Sequence, residues 1–541
     1  MDSLPFDLNY FPYPSRRFPL TARNGMVNAS QPQASSAGLQ VLLKGGNAVD
    51  AAVAAATTLT VVEPTANGIG SDAFALVWIE KEQKLYGLNA SGWAPEKLNI
   101  EKVKEVCGQI HMPSFGWLPT IVPGAPAAWA ALSDRFGRVG LEKTMEPAIQ
   151  YARAGYPVSP SVSDMWQRAA KRYSALNGDP VYQGWFETFL IGGEAPQSGQ
   201  LITLPYHADT LSLIANTHAR AFYAGELTDK ILRDSQGLGG FFTFDDFAKY
   251  QVDWVEPISV NYRGYTVCEI PPNGQGITAL MALNILNNFS LTNRENERDF
   301  HLHFEAMKLA FSDARHFVTD PRYMTVSPDA LLSERYGRTR ANQITEQAAL
   351  PEPCSPPGSG TVYLCTADGE GNMVSYIQSN YMGFGSGIVI RGTGIALQNR
   401  GADFSLDSNE PNCFAPRKKT YHTIIPGFLM KDEKAIGPFG VMGGYMQPQG
   451  HVQVITNLLD YHLNPQQALD APRWQWMRDR QFAVEYGFSP ALVHQLLNRG
   501  HKIDMFPDST SFGRGQIIWK LGNGVMIGGT EGRTDSNIAC Y

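Results

Sequence analysis

The sequence predicts an α+β fold in which sheets lie between layers of helices. Helical patterns fill residues 34–59 and most of residues 100–345. Strand patterns then dominate residues 361–397, and helices resume after Gln449. Helices followed by consecutive strands and then by helices again are typical of sheets covered on their outer faces by helices. The 541-residue chain is long enough for several domains, but it contains no linker that would separate them.

The first two predicted helices follow Pro32. Ala34 to Lys44 has apolar residues at helical spacing, and Gly45-Gly46 is a common stop signal. Asn47 can cap a second helix from Ala48 to about Leu59. The many alanines of that helix predict that it is packed closely on several sides.

A turn at residues 67–70 leads into a predicted strand from Ala73 to Ile79. Gly68-Ile69-Gly70 could suggest a dinucleotide-binding loop. That interpretation fails because the glycines precede a strand instead of following one, and because the third glycine is missing.

In the helical middle of the chain, Phe300 to Phe317 places several apolar residues on or near one helical face. His301 and His303 cannot share a face of this helix, and the chain contains no HExxH pattern. The two histidines are therefore predicted to be a hydrogen-bonded surface pair, and no metal site is expected.

The pattern changes abruptly at residues 351–360, PEPCSPPGSG. Four prolines in ten residues exclude a helix or a central strand, so this segment is predicted to be an exposed connector. Thr361 to Ala367 then has the composition of a strand, and a turn at residues 368–371 leads into a second strand, Asn372 to Ser379. A glycine-rich run and another hairpin-like segment continue to Leu397.

Composition and charge limit the classes of partner. The net charge of −7 (44 − 51) is spread along the chain, which argues against nucleic acid or an anionic membrane as the main partner. Residues 1–20 lack the apolar stretch of a signal peptide, and no run approaches the roughly 18 apolar residues of a membrane span. Six scattered cysteines without a CxxC pair predict reduced thiols and a cytoplasmic protein.

A threonine at the start of a strand, after glycine and a connector, suggests an N-terminal nucleophile at Thr361. A threonine hydroxyl needs a base, and an α-amino group with a pKa near 8 can be that base. The amine exists only if the Gly360–Thr361 bond is broken, which would divide the chain into residues 1–360 and 361–541. Taken alone this local pattern is weak, because Gly-Thr pairs are common.

Several ordered motifs resemble the gamma-glutamyltransferase family over about 500 positions. In chain order they include SSAGLQVLLKGGNAVDAAVAAA, VVEPTANGIG, PPNGQGITALMALNIL, TVYLCTADGEGNMVS, GFGSGIVIRGTGIALQN and LNPQQALDAPRW. The resemblance implies the four-layer αββα sandwich of N-terminal-nucleophile hydrolases. It places Thr361 on the family's nucleophile and Ser379 on a supporting hydroxyl, and Gly443 and Gly444 on the paired glycines whose N–H groups form the oxyanion hole.

The departures from the family lie at substrate recognition. Ser91 stands where the family has an arginine that holds the substrate's α-carboxylate, and a serine cannot supply that charged, bidentate contact. His422 and Thr423 stand where two serines help to bind the carboxylate and the oxyanion. Tyr381 replaces an asparagine that lies near the substrate's α-amino group.

Two neighbouring charges leave two interpretations open. Arg400 stands where the family has a glutamine, and Asp403 keeps the family's amino-binding acid. The two residues could pair with each other, since they are three positions apart. Alternatively, Arg400 supplies the missing cation and holds a carboxylate from another direction.

With these anchors the chain resembles the gamma-glutamyltransferase-like proteins, or cephalosporin acylases. The resemblance implies a self-processing hydrolase or acylase that cleaves a small-molecule amide with a gamma-glutamyl-, glutaryl- or aminoadipyl-like acyl group. No metal or organic cofactor is needed, the two fragments are expected to stay associated, and a homodimer is left open. A true glutathione-cleaving transferase and an uncleaved metabolite-binding relative are the competing hypotheses.

Overall fold

The computed structural model describes residues 17–108, 111–350 and 360–541. Its helices are, in chain order, α1 (Pro32–Leu43), α2 (Ala48–Val62), α3 (Ile100–Cys107), α4 (Ala125–Phe136), α5 (Leu141–Ala154), α6 (Pro160–Tyr173), α7 (Gln183–Phe189), α8 (Pro205–Thr217), α9 (Arg220–Ala224), α10 (Glu226–Gly237), α11 (Phe244–Ala248), α12 (Gly276–Leu286), α13 (Glu297–Phe317), α14 (Pro328–Leu331), α15 (Glu334–Ala341), α16 (Met446–Leu459), α17 (Pro465–Asp470) and α18 (Pro490–Asn498). Its strands are β1 (Leu20–Ala22), β2 (Gly25–Ala29), β3 (Asp72–Ile79), β4 (Lys84–Ala90), β5 (Tyr156–Pro157), β6 (Leu201–Ile202), β7 (Asp253–Val255), β8 (Ile258–Tyr262), β9 (Tyr265–Glu269), β10 (Gly360–Asp368), β11 (Met373–Tyr381), β12 (Val389–Ile390), β13 (Ile395–Ala396), β14 (Gly427–Lys431), β15 (Lys434–Met442), β16 (Trp474–Arg478), β17 (Gln481–Glu485), β18 (Lys502–Phe506), β19 (Arg514–Lys520), β20 (Met526–Thr530) and β21 (Asn537–Cys540).

Two seven-stranded sheets form the centre of the molecule. The first sheet has the strand order β21-β2-β10-β11-β3-β4-β7, and the second has the order β1-β20-β19-β15-β14-β9-β8. Neighbouring strands are antiparallel throughout both sheets. In each sheet, strands that begin at Gly360 or later lie between strands from the first 350 residues, except that β21 forms an edge of the first sheet.

Side chains of the two sheets meet in a shared apolar core. Phe74, Tyr363 and Ile377 from the first sheet pack in one cluster with Phe428 and Ile518 from the second sheet. The opposite face of the first sheet packs on a group of helices that includes α2, α4 and α5. The opposite face of the second sheet packs on α12, α13 and α16. The predicted four-layer αββα sandwich is confirmed.

Most predicted elements are present, with small differences at their ends. Asn47 caps α2 through a reciprocal pair of hydrogen bonds with Asp50, as its position in the sequence predicts. Helix α16, which follows β15, begins at Met446, slightly before the predicted return of helices after Gln449. Residues 351–359 of the predicted connector lie outside the described residues.

The sequence analysis did not predict β1, β2, β4, β14 and β15, and it missed short strands in two further parts of the chain. Strands β7, β8 and β9 lie within the region predicted to be helical, and β16 to β21 follow the last predicted helix. Each of these strands has only three to seven residues. Such short segments show too few repeats to separate a strand from a helix by periodicity.

The prediction of a surface histidine pair on α13 is wrong. His301 and His303 are both buried, because α13 is covered by the second half of the chain. His301 Nε2 lies 2.7 Å from the Thr345 carbonyl oxygen, and its Nδ1 lies 2.8 Å from His501 Nε2. Burial lowers the pKa of His301 and of His303.

Two wider expectations can be compared with the structure. None of the described helices is both long and apolar enough to cross a membrane. Among the cysteines within the described ranges, Cys268, Cys365, Cys413 and Cys540 are free thiols. Cys354 lies outside the described residues.

Candidate active site

Thr361 is the second residue of β10, a central strand of the first sheet. Its Oγ1 atom lies 3.0 Å from Ser379 Oγ on the neighbouring strand β11, and both side chains are buried. The register between the two strands shifts between Gly360 and Val362, so Thr361 lies at a local irregularity of the ladder. The structure brings together the predicted nucleophile and the predicted supporting hydroxyl.

The Ser379 hydroxyl is itself fixed by the backbone that follows it. The Tyr381 N–H donates to Ser379 Oγ over 2.8 Å. Tyr381 has a φ of +77°, a left-handed conformation that costs a non-glycine residue about 1–3 kcal/mol. Strain of this kind persists where surrounding contacts enforce it, and it is frequent at functional sites.

Gly443 and Gly444 form the turn between β15 and α16, with φ angles of +136° and +61°. Neither N–H donates a hydrogen bond to another described residue. One turn further on, Gln447 Nε2 lies 3.5 Å from Thr361 Oγ1 and Gln447 Oε1 accepts from the Ile425 N–H. The glycine turn and the threonine are thus joined through Gln447, which the sequence analysis missed.

Ser91 lies in a buried group of neutral side chains. Its hydroxyl donates to Asn89 Oδ1 over 2.7 Å and accepts from Asn273 Nδ2 over 3.2 Å. Each donor and acceptor here is uncharged. The position where the family has an arginine therefore carries no cation in this protein.

Arg400 is a fully buried cation beside these groups, 1% exposed. Its Nη1 donates to Thr423 Oγ1 over 2.6 Å, and its guanidinium lies 4.0 Å from the centre of the Tyr381 ring. Its Nε and Nη2 atoms have no hydrogen-bond partner among the described residues. Burial lowers the pKa of Arg400. Arg400 does not form a direct ion pair with Asp403, which was the first of the two open interpretations.

Asp72, on β3, is a second buried charge that the sequence analysis missed. It faces Ser379 across the strand ladder, and its Oδ2 lies 3.0 Å from His422 Nε2. Because His422 Nδ1 accepts from the Ile424 N–H, Nε2 carries the hydrogen and donates to Asp72. Burial raises the pKa of Asp72 to about 7, although Arg400 opposes this shift, and burial lowers the pKa of His422.

Asp403 binds a cation and two phenols. Arg315 Nη1, from α13, lies 3.3 Å from Asp403 Oδ1. The same carboxylate oxygen accepts from the Tyr445 hydroxyl at 2.5 Å and from the Tyr381 hydroxyl at 3.5 Å. Arg315 and Tyr445 lie 88 and 42 positions from Asp403 in the sequence, so no local pattern predicts these contacts.

An open cavity of about 1320 Å³ adjoins this group. Its wall includes Tyr381, Asp403 and Arg315, together with a second ion pair, Arg340 and Asp313. The volume exceeds that of most small-molecule pockets, which are on the order of 300–1,000 Å³. The cavity therefore offers both polar and charged side chains to a ligand, and Tyr381 in its wall lies two residues after Ser379, the partner of Thr361.

The described residues contain one group with the spacing of metal ligands, namely His301, Glu305 and His501. Lys308 Nζ already lies 2.6 Å from Glu305 Oε1, so an ammonium group neutralises that carboxylate. The two imidazoles are hydrogen-bonded to each other. These contacts occupy the ligand atoms, and the group is better described as a buried hydrogen-bond network.

Comparison with known proteins identifies the same family as the motifs. A family model described as gamma-glutamyltranspeptidase matches residues 34–541. The glutathione hydrolase-like YwrD proenzyme of Bacillus subtilis is 37% identical, with coverage of 94% of this chain and 97% of that protein. The oxamate amidohydrolase proenzyme of Klebsiella pneumoniae is 31% identical, with coverage of 96% and 98%.

A solved structure extends this agreement to the fold. The crystal structure of cephalosporin acylase from Bacillus halodurans is 54% identical and superimposes with a TM-score of 0.95 over 99% of both chains. These matches confirm the predicted N-terminal-nucleophile hydrolase fold and the prediction of an enzyme of the hydrolase and acylase class. The chain belongs to the gamma-glutamyltranspeptidase family.

Proposed function

We propose that the chain cuts itself between Gly360 and Thr361 and then hydrolyses small-molecule amides with the new N-terminal threonine. The hydrogen-bonded pair of Thr361 and Ser379 at the start of β10 is the observation that carries this proposal. Cleavage would leave fragments of 360 and 181 residues (541 − 360). The relatives named as proenzymes support the same interpretation.

Self-cleavage would begin with attack of Thr361 Oγ1 on the carbonyl carbon of Gly360. The acyl group moves from the Thr361 nitrogen to its oxygen, and the hydroxyl proton moves to the nitrogen. Water then hydrolyses the ester, which leaves a carboxylate on Gly360 and a free amine and hydroxyl on Thr361. The irregular register around Thr361 fits this step, because a regular ladder would hold the peptide bond rigidly in place.

Turnover would use the amine that self-cleavage creates. Thr361 Oγ1 attacks the substrate's amide carbon while the Thr361 amine accepts the hydroxyl proton. The proton passes to the leaving nitrogen as the carbon–nitrogen bond breaks, which leaves an acyl ester on Thr361. Water, deprotonated by the same amine, releases the acid and restores the hydroxyl.

The remaining groups have supporting roles in this mechanism. The N–H groups of Gly443 and Gly444 would bind the oxyanion, since neither donates to another described residue. Gln447 would orient Thr361 Oγ1 through its side-chain amide. The Ser379 hydroxyl would hold the nucleophile on its other side.

The charges favour an acyl group that ends in a carboxylate. Ser91 offers no cation, whereas Arg400 has two buried N–H-bearing atoms without a partner among the described residues. Burying a guanidinium with unused donors is costly unless an anion completes the site. A terminal carboxylate would supply the missing acceptors, with Thr423, Tyr381 and His422 around it. The cephalosporin acylase relative fits an acylase role.

Replacing Thr361 with alanine should abolish both self-cleavage and turnover. The variant lacks the attacking oxygen, so intact-mass measurement after incubation should find one uncut chain. Wild-type protein should give two masses, with N-terminal sequencing of the smaller fragment beginning at Thr361. Hydrolysis of glutaryl and gamma-glutamyl anilides measures turnover.

A Thr361→Ala variant that still cut itself and still hydrolysed an anilide would disprove the mechanism. A wild-type chain that stays uncut would favour the metabolite-binding alternative. Efficient transfer from gamma-glutamyl donors would favour a true transferase. The cytoplasmic location stays a prediction from the scattered cysteines. The division into residues 1–360 and 361–541 stays a prediction from the proposed cleavage site.

A further inference from the structure

We propose that Arg315 takes the place of a substrate's α-ammonium group, so that the site selects acyl groups without an α-amino group. The acyl class would be glutaryl-like, and gamma-glutamyl and aminoadipyl groups would be disfavoured. This inference rests on the proposed function. It concerns a residue outside the predicted site, on helix α13.

The acceptor sites of Asp403 Oδ1 are already used. Asp403 Oδ1 accepts from the Tyr445 hydroxyl at 2.5 Å and lies 3.3 Å from Arg315 Nη1, and Oδ2 lies 3.4 Å from the same nitrogen. Tyr381 adds a fourth contact at 3.5 Å. Three of these four contacts fall on Oδ1, which has two lone pairs, so an incoming ammonium group would have to use Oδ2, beside the Arg315 guanidinium.

The guanidinium of Arg315 is held firmly where it lies. It donates to the Tyr445 hydroxyl over 2.6 Å, and it lies 4.9 Å from the Tyr421 ring centre and 5.2 Å from the Tyr445 ring centre. Its side chain is 22% exposed, and it forms part of the cavity wall. A cation with this many contacts is a fixed part of the site.

An α-ammonium group at Asp403 would therefore meet a like charge. Arg315 neutralises the carboxylate that would attract the ammonium and repels it directly. Such like-charge contacts at a binding surface are used to exclude wrong partners. An acyl chain with hydrogen at the same carbon avoids the repulsion.

Tyr381 connects this position to the proposed carboxylate site. Arg400 lies over the ring of Tyr381, and the hydroxyl of the same residue contacts Asp403. A terminal carboxylate at Arg400 would thus place the adjacent carbon near Asp403, where a gamma-glutamyl group carries its amine. Glutaryl and gamma-glutamyl groups differ at this carbon, which would lie near Asp403 and its partner Arg315.

The test compares two ligands that differ by one ammonium group. Titration calorimetry of the purified protein with glutarate and with L-glutamate gives an affinity ratio that does not depend on turnover. Wild type should bind glutarate about tenfold more tightly or better. Arg315→Met should shift the ratio toward L-glutamate by about tenfold, because Asp403 regains an unpaired charge. The ratio of kcat/KM for glutaryl and gamma-glutamyl anilides should move in the same direction.

Two further variants separate this effect from a general loss of structure. Arg340→Met removes another ion-paired cation from the same cavity wall without touching Asp403, and it should leave the ligand ratio unchanged. In the double variant Arg315→Met/Asp403→Asn the shift toward L-glutamate should disappear. Thermal melting confirms that each variant is folded.

Several outcomes would overturn the inference. These are equal affinities or tighter L-glutamate binding in wild type, no measurable glutarate binding, and an unchanged ratio in Arg315→Met. Failure of the proposed function has a different signature, since it leaves an uncut chain in the mass measurement whatever the ligand ratio. The two proposals can therefore fail independently.

Discussion

The carboxyl group of Asp72 lies between a histidine, a strand neighbour and a buried arginine. His422 donates to it, Ser379 faces it across the ladder, and Arg400 lowers its pKa without overcoming the effect of burial. Its pKa of about 7 is well above the usual 3.8. The Asp72 carboxyl group therefore changes its charge near neutral pH.

This raised pKa predicts how stability depends on pH. The folded state binds the Asp72 proton more tightly than the unfolded state does, so the proton stabilises the fold at low pH. That contribution is lost as pH rises from about 4 to about 7 and is constant above it. One pKa unit corresponds to about 1.4 kcal/mol, so the loss between pH 5 and pH 8 is about 3 kcal/mol as an upper bound.

Asp72→Asn should remove this dependence while keeping an acceptor for His422. Between pH 5 and pH 8 the wild-type free energy of unfolding should fall by up to about 3 kcal/mol more than that of the variant. Urea unfolding of both proteins at the two pH values measures the difference. Parallel losses in both proteins would show that Asp72 is ionised throughout this range.

The turn between β15 and α16 shows how an element positions backbone donors. Gly443 has a φ of +136°, which side-chain-bearing residues rarely adopt. An added Cβ would also lie 3.1 Å from Gly513 Cα, closer than normal contact. The turn joins β15 of the second sheet to α16, and Gln447 of α16 lies 3.5 Å from Thr361 Oγ1.

Gly443→Ala should lower kcat for anilide hydrolysis by about 10²-fold or more and slow self-cleavage as well. The substitution forces the turn to move, so the N–H groups of residues 443 and 444 no longer point toward the oxyanion. Gly524→Ala is the matched control, because Gly524 has a φ of +84° in open space far from the site. If both variants lost activity equally, backbone strain alone would account for the effect.

Local patterns in the sequence account for part of the site. Thr361, Ser379 and the glycine pair were predicted because motifs of contiguous residues carry them. Asp72, Arg315 and Gln447 were missed, since their contacts join positions 86 to 350 residues apart or cross between sheets. The order of helical and strand patterns predicted sheets between helical layers, and the family resemblance implied the four layers. The short strands β16 to β21 have too few residues for a periodic signal.

At the scale of the whole molecule, the two proposed fragments are interleaved. In the first sheet, β10 and β11 lie between β2 and β3, and β21 lies outside β2. In the second sheet, β14, β15, β19 and β20 lie between β9 and β1. Neither fragment contains the whole of a seven-stranded sheet, so strand pairs between the two fragments remain after one peptide bond is cut.

We therefore expect the fragments to stay together after cleavage. Size-exclusion chromatography should give one peak that contains both fragments, with a combined mass close to 59.5 kDa per copy, whereas a denaturing gel should separate them. Residues 361–541 expressed alone should be insoluble, because their strands lack partners. Separation of the fragments without denaturant would contradict the expected sheet arrangement.

The position of β21 has a consequence for biosynthesis. This last strand, Asn537–Cys540, completes the first sheet beside β2, which in turn pairs with the strand that begins at the proposed cleavage site. The first sheet can therefore close only after residues 537–540 have been synthesised. Under the proposed mechanism, self-cleavage would then wait for the synthesis of β21, and a polypeptide that stops before Asn537 would keep the Gly360–Thr361 bond intact.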